Sequence, residues 1–359
     1  MRFERLHIQG LRCLADVAVT LDAGIHVFVG PNGAGKTSVL EAAYLLSHGR
    51  SFRSGAREAL LQRGRDTLSV FAEVQGQAGA FRRLGLGRVG SRWEARLDGA
   101  DVPLGQLVQA CAVVCFEPGS HALIAGAAEE RRRFLDWGVF HVEQDFMAAW
   151  RRYQRALKQR NALLRTGVVG PSELYAPWEQ ELGAAGAILD AHRRAYLDRL
   201  LPLLAEGAGY LLPELGPVSL RYRRGWAEDC PLSEVLAEQR GRDLARTHTT
   251  AGAHRADWSL SFEQAPLREH LSRGQEKLTA LACLLAQAEL HAARRGEWPV
   301  VCLDDLSSEL DQAHQLAVVD RLASVGAQVL VTGTECPLPL QSRPHRLFHV
   351  EQGQIRPLL

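Results

Sequence analysis

The sequence predicts a mixed α/β protein: a sheet built on a glycine loop, a β-meander beside it, and a helical arm inserted into the chain. Three stretches carry that prediction. Gly30-Pro31-Asn32-Gly33-Ala34-Gly35-Lys36-Thr37 reads G-x-x-x-x-G-K-T and stands between an apolar strand-like run and a helix-spaced one. Residues 67–102 alternate apolar and polar positions and hold the hairpin signal Asp98-Gly99. Near Glu129 the texture changes to long helical patterns rich in Arg, Ala, Leu and Trp. These shifts place the first part of a head at 1–128, a helical arm at 129–245 and the second part of the head at 246–359.

Residues 3–9 read as a strand. Val17, Val19 and Leu21 alternate with Ala18 and Thr20 as a second one, reached through Gly10-Leu11-Arg12-Cys13, a turn with an exposed arginine. Ile25 to Val29 is short, apolar and β-branched, as a buried strand is. After the glycine loop, Val39, Ala43 and Leu46 share one helical face. Val113 to Phe116 is another buried strand, closed by Pro118-Gly119. The arm reads as helices from Glu130 to Arg165 and from Ser172 to Glu206, separated by the breakers Thr166-Gly167 and Gly170-Pro171. A helix of about 35 residues reaches about 50 Å, an arm and not a long rod. Strand character returns from Val218 and again over Ser259 to Phe262. Leu271-Ser272-Arg273-Gly274-Gln275 opens a helix whose apolar stripe is Leu278, Leu281, Ala282, Leu285 and Ala288. Val300 to Leu303 and Gln328 to Val331 are the remaining buried strands.

Composition narrows the classes of function. Lys and Arg total 42 against 41 Asp and Glu, so no global field attracts nucleic acid and any such site is a local patch. The seven cysteines are scattered without a C-x-x-C pair, as expected for buried thiols in a reducing cytosol. The amino terminus lacks the apolar core of a signal peptide, and no run approaches the ~20 residues of a membrane helix. The reading is a cytoplasmic protein without a membrane partner.

The chemistry gathers in three places. A glycine loop that opens a helix curls backbone N–H groups around a polyphosphate, with the helix end adding positive potential. Gly30, Pro31, Asn32, Gly33, Ala34 and Gly35 form that cradle. Lys36 then faces the β- and γ-phosphates of ATP and the Thr37 hydroxyl ligates Mg²⁺. Asp304 and Asp305 end the strand Val300 to Leu303, as Walker B carboxylates do. Asp304 is expected to hold Mg²⁺, and Asp305 to orient or deprotonate the attacking water. Ser272 and Gly274 begin a helix, a site for an anion or an ordinary serine cap. Catalytic roles thus fall on Lys36, Asp304 and Asp305, and metal binding on Thr37 and Asp304.

The order P-loop, L-S-R-G-Q, strand with paired acids, then Ser308-Glu309-Leu310-Asp311 resembles an ABC-type ATPase head of the SMC-like branch. The likeness is closest to the RecF family of bacterial recombination proteins and spans nearly the whole chain. It includes Gly10-Leu11-Arg12, Phe116-Glu117-Pro118, Arg132-Arg133-Phe134-Leu135-Asp136, Ala253-His254-Arg255-Ala256-Asp257, Ser272-Arg273-Gly274-Gln275-Glu276-Lys277 and Leu303-Asp304-Asp305. The resemblance implies a DNA-repair and replication-fork ATPase that forms an ATP-dependent homodimer and binds single- and double-stranded DNA. It also implies help in loading recombinase at gaps, with RecR and RecO as partners. By the same resemblance, Ser272 of one copy meets the γ-phosphate held by the other, Gly274 permits the approach, Arg12 contacts nucleotide, and Asp311 lies at the dimer seam. Asp305 is one methylene shorter than the usual glutamate, and Thr332-Gly333-Thr334 stands where a switch histidine is expected. The two departures imply slow hydrolysis. The missing Q-loop glutamine, the missing histidine and the large insertion argue against the alternative, the nucleotide-binding subunit of an ABC transporter. A small-molecule kinase would leave L-S-R-G-Q unexplained.

DNA has two candidate surfaces. Arg131, Arg132, Arg133, Arg151, Arg152, Arg155, Lys158, Arg160 and Arg165 crowd one stretch, with Trp150 and Tyr153 interleaved. Such a face serves either phosphates or solvent alone. A second cluster, Arg50, Arg53, Arg57, Arg63 and Arg65, follows the P-loop helix. His254 is either a phosphate-side residue or a core histidine.

Overall fold

Two six-stranded sheets and a set of helices account for most of the chain in the computed structural model, which describes residues 1–53, 57–76, 79–167 and 172–358. The chain divides into two compact units, Met1–Ser120 with Lys277–Leu359, and His121–Glu276. The sequence placed these breaks at 128/129 and 245/246. Pairing accounts for the later break: the strand Asp257–Phe262 hydrogen-bonds to Val218–Arg223 and so belongs with the arm.

In the first unit, β1 (Arg2–Leu11) and β2 (Leu14–Thr20) pair antiparallel, and β3 (Ile25–Val29) leads through the glycine loop into α1 (Lys36–His48). β4 (Thr67–Gln75), β5 (Phe81–Val89), β6 (Arg92–Leu97) and β7 (Ala100–Val102) extend the antiparallel sheet as β2-β1-β4-β5-β6-β7. This is the meander that the alternation predicted, with Leu68, Val70, Ala72 and Val74 all buried on one face of β4. α2 (Leu104–Gln109) and β8 (Val113–Phe116) complete this half.

The second unit begins with α3 (Ala122–Ala125), α4 (Ala128–Val142) and α5 (Phe146–Arg165). The single helix expected over 130–165 is therefore two. Glu143 turns to extended backbone at the end of α4, and Phe146 restarts the helix with its ring buried. α6 (Ala176–Leu211) is a 36-residue helix against which α4 and α5 both pack. Of the breakers expected between the arm helices, Gly170 and Pro171 lie outside the described residues. β9 (Val218–Arg223), α7 (Leu232–Glu238), α8 (Arg240–Arg246) and β10 (Asp257–Phe262) close the unit.

α9 (Arg273–Arg295) leads back to the first unit. There follow β11 (Val300–Leu303), α10 (Leu306–Glu309), α11 (Gln312–Ser324), β12 (Val329–Gly333), α12 (Leu338–Gln341), β13 (Arg346–Glu351) and β14 (Gln354–Leu358). The second sheet runs β14-β13-β3-β12-β11-β8, parallel except for β14. Strands β3, β8, β11 and β12 are buried along their whole length, which is why they read as unbroken apolar runs. This order puts the carboxyl ends of β3, β11 and β12 side by side, where a doubly covered parallel sheet binds its ligand.

Candidate nucleotide site

α1 begins at Lys36 because glycine alone suits the turn ahead of it. Gly35 has φ 115°, and a β-carbon there would lie 2.9 Å from Cys13 Sγ. The first turn carries no acidic residue, and no side chain caps it. Its orphan amides therefore remain an anion site. Lys36 Nζ donates to the carbonyl oxygens of Gly30 and Pro31, at 2.7 and 2.9 Å. Burial pushes the Lys36 ammonium below its usual range, against the opposing pull of Asp305 and Asp304.

The Walker B carboxylate meets this loop directly. Thr37 Oγ1 donates to Asp304 Oδ1 at 2.9 Å, across 267 residues of sequence. Asp304 is 3% exposed, and burial raises its carboxyl pKa, opposed by hydrogen bonds from Thr332 and Thr37. A buried carboxylate beside a hydroxyl, with a second carboxylate next in sequence, is the donor set that Mg²⁺ favours. Thr37 and Asp304 therefore fit a magnesium ion. Asp305 adopts the left-handed region, φ 53°, which turns its side chain out of the strand direction.

Thr332 occupies the end of β12 where the sequence comparison expected a histidine. Its hydroxyl donates to Asp304 Oδ1 at 2.6 Å and accepts from Asp305 N–H at 2.9 Å. One side chain thus orients the first acid and fixes the backbone of the second. Sequence reasoning noted Thr332 only as a departure.

Glu41, one turn beyond Thr37 on α1, was also overlooked. It is fully buried, and Arg12 binds it through two nitrogens at 2.7 and 3.0 Å. Arg12 is therefore not the free arginine of an exposed turn: its side chain is 19% exposed, and Nη1 also donates to Ala59 O at 2.6 Å. Arg53 of the second basic cluster stands 3.9 Å from the same carboxylate. The Arg57 side chain lies outside the described residues.

Ser272 and Gly274 belong to the second unit, so the structure does not add them to this constellation. Ser272 caps α9 reciprocally with Gln275: Gln275 N donates to Ser272 Oγ at 3.3 Å, and Ser272 N to Gln275 Oε1 at 3.0 Å. Both Ser272 and Gly274 are exposed. A β-carbon at Gly274 would meet nothing nearer than Ser272 Oγ at 3.9 Å, so its own fold does not demand glycine there. In the first unit, Lys277 pairs with Glu309 at 2.6 Å and Asp311 caps α11 by accepting from His314 N at 2.9 Å.

The arm sorts its cations sharply. Arg160 is buried with Glu179 and Asp243, Arg131 pairs with Asp257, and Arg152 with Glu181. Arg132 donates to Ala256 O, and Arg133 pairs with Glu129 and Glu130. Tyr153 is buried and does not interleave with surface charge; Trp150 is 36% exposed and does. Arg151, Arg155 and Lys158 lie one turn apart on the exposed face of α5, without an ion pair among the described residues. His254 is a packed histidine. Its Nε2–H donates to Thr249 O at 3.1 Å, so Nδ1 accepts from Tyr153 OH at 2.7 Å, and burial pulls its pKa down to about 4.

Fold and site together define an ATPase head of the SMC type. The RecF/RecN/SMC N terminal domain model matches residues 2–355. A DNA replication and repair protein RecF of Stenotrophomonas maltophilia (strain R551-3) is 50% identical over 362 residues, covering 99% of both chains. That of Pseudomonas putida (strain W619) is 40% identical over 362 residues, covering 99% of this chain and 98% of its own. The chain belongs to the RecF family of DNA replication and repair proteins. Solved structures agree in fold. The recombination mediator protein RecF with ATP superposes with TM-score 0.90 at 23% identity, over 99% of this chain and 97% of that one. An SMC head bound to the C-winged helix domain of ScpA superposes with TM-score 0.60 at 14% identity, over 100% and 97%. Among the described residues no helix is long and apolar enough to cross a membrane.

Proposed function

We propose that this chain is an ATP-gated DNA-binding protein of recombinational repair and replication-fork maintenance. The observation that carries the reading is the meeting of Thr37 and Asp304 at 2.9 Å beneath helix-start amides that no side chain caps. The backbone amides of the loop bind the polyphosphate. Lys36 exchanges the Gly30 and Pro31 carbonyls for phosphate oxygens, a better partner for an ammonium. Thr37 and Asp304 would hold Mg²⁺, which would supply charge neutralisation at the phosphates. Asp305 orients the attacking water. Its short side chain and the threonine in the histidine's place support a slow ATPase, a switch that times release.

The reading extends to a homodimer in which Ser272 of one copy meets the nucleotide of the other. Exposure of Ser272 and the unforced glycine at Gly274 support it. The closed pair grips single- or double-stranded DNA, aided by the cationic face of α5, and assists RecR- and RecO-type partners at gaps. Sedimentation of the protein with and without ATP, alone and with gapped duplex, tests the scheme. Ser272→Ala is expected to keep ATP binding and stay monomeric, whereas Lys36→Ala loses binding itself. A Ser272→Ala protein that dimerises with ATP as the wild type does rules out the cross-copy role.

A further inference from the structure

We propose that the β13–β14 hairpin, through Gly353, is a positioning element for nucleotide binding. It would act by orienting the Ala34–Gly35 peptide of the glycine loop. The inference rests on the loop being the ATP site. Gly353 N–H donates to Ala34 O at 2.9 Å. In a trans peptide the carbonyl and the following N–H point in opposite directions. Holding the Ala34 carbonyl outward on the hairpin therefore aims the Gly35 N–H inward, toward the anion. Gly35 N–H has no backbone acceptor among the described residues, so it is available for a phosphate oxygen. A phosphate loop works only if its amides converge before the ligand arrives.

Glycine is required on the hairpin for two independent reasons. Gly353 has φ 76°, and a β-carbon there would lie 2.3 Å from the Cys13 carbonyl oxygen. The same hairpin crowds the other end of the loop, since a β-carbon at Gly30 would lie 2.0 Å from Val350 O. The β1–β2 turn presses from the opposite side, with Cys13 Sγ against Gly35. Hairpin, loop and turn interlock through three glycines, so the carboxyl-terminal strands shape a site encoded more than three hundred residues earlier.

The test compares Gly353→Ala with Gly326→Ala. Gly326 has φ 65° in the same unit, and nothing lies within 4 Å of its added β-carbon. Both variants bear the left-handed strain, but only the first disturbs the loop. A third protein, full-length and joined by ligation at the native Cys336, carries glycolic acid in place of Gly353, an ester that lacks the donor and adds no group. Equilibrium binding of Mg²⁺-ATP and steady-state hydrolysis are measured. The expected result is a rise in Kd and KM of about tenfold or more for both Gly353 variants, with kcat retained and Gly326→Ala unchanged. If Gly353→Ala does not fold, the ligated protein decides alone. Wild-type affinity in a folded Gly353 variant overturns the inference. Failure of the wild type to bind ATP, or indifference of binding to Lys36→Ala, would instead remove the site reading beneath it.

Discussion

Replacing Thr332 by valine isolates the hydroxyl that joins the two Walker B acids. Valine has nearly the same shape, and the position is 1% exposed, so packing is preserved. Two partners are lost at once. The buried Asp304 carboxylate loses a charge-assisted bond of 2.6 Å, worth about 1.5–3 kcal/mol, and the Asp305 N–H loses its acceptor, about 1–3 kcal/mol. Relaxation and water recover part of this, leaving a loss of roughly 2–4 kcal/mol. For a unit of about two hundred residues, that lowers the melting temperature by roughly 5–15 °C. Removing the bond also raises the Asp304 carboxyl further, because the Thr332 hydroxyl is the largest influence holding it down against burial. Mg²⁺-dependent nucleotide binding should weaken in parallel. Calorimetric melting and ATP titration of Thr332→Val and Thr332→Ser read both effects, with serine expected to stay near the wild type. A valine variant that melts within about 1 °C of the wild type and binds ATP equally well would refute the bridging role.

Four further outcomes follow, two from the same acid and two from the arm. Burial raises the Asp304 pKa, so its contribution to stability is full below the unfolded value and is lost as pH rises through the folded one. Ionising Asp304 thus costs the metal-free protein stability, and above the folded pKa Asp304→Asn should raise its melting temperature while abolishing the stabilisation by Mg²⁺-ATP. That stabilisation in the wild type should shrink as pH falls toward the Asp304 pKa, as melting scans across pH will record. Arg160→Met strands buried Asp243 without its cation, leaves Glu179 only Arg240, and should cost the arm about 3–5 kcal/mol in urea unfolding, with ATP affinity unchanged. Changing Arg151, Arg155 and Lys158 to alanine should reduce the salt slope of DNA binding by about 2–3 across unrelated sequences.

Much of the head was legible because its signals are local. The P-loop, the strand before it and the helix after it form one continuous segment, and backbone geometry within a few residues dictates its shape. The paired acids at the end of β11 read equally well, since an apolar strand running into two carboxylates has few other interpretations. The arm was legible as helix and illegible as surface. Arg151 and Arg160 look alike in sequence, yet one faces solvent and the other is sealed against two acids. Tyr153 was misplaced for the same reason: helical spacing gives a face but not what covers it.

By itself, then, the sequence determined the glycine loop between its strand and helix, the strand that ends in two acids, and the alternation of strand and helix. Each depends on covalent neighbours and on a short-range period. Only the tertiary structure decided that Thr332 bridges Asp304 and Asp305, that Arg12 is held on buried Glu41, and that Gly353 fastens the Ala34 carbonyl. Those pairings join residues far apart along the chain. A hydrogen bond constrains the distance between two atoms and leaves no mark on the residues between them.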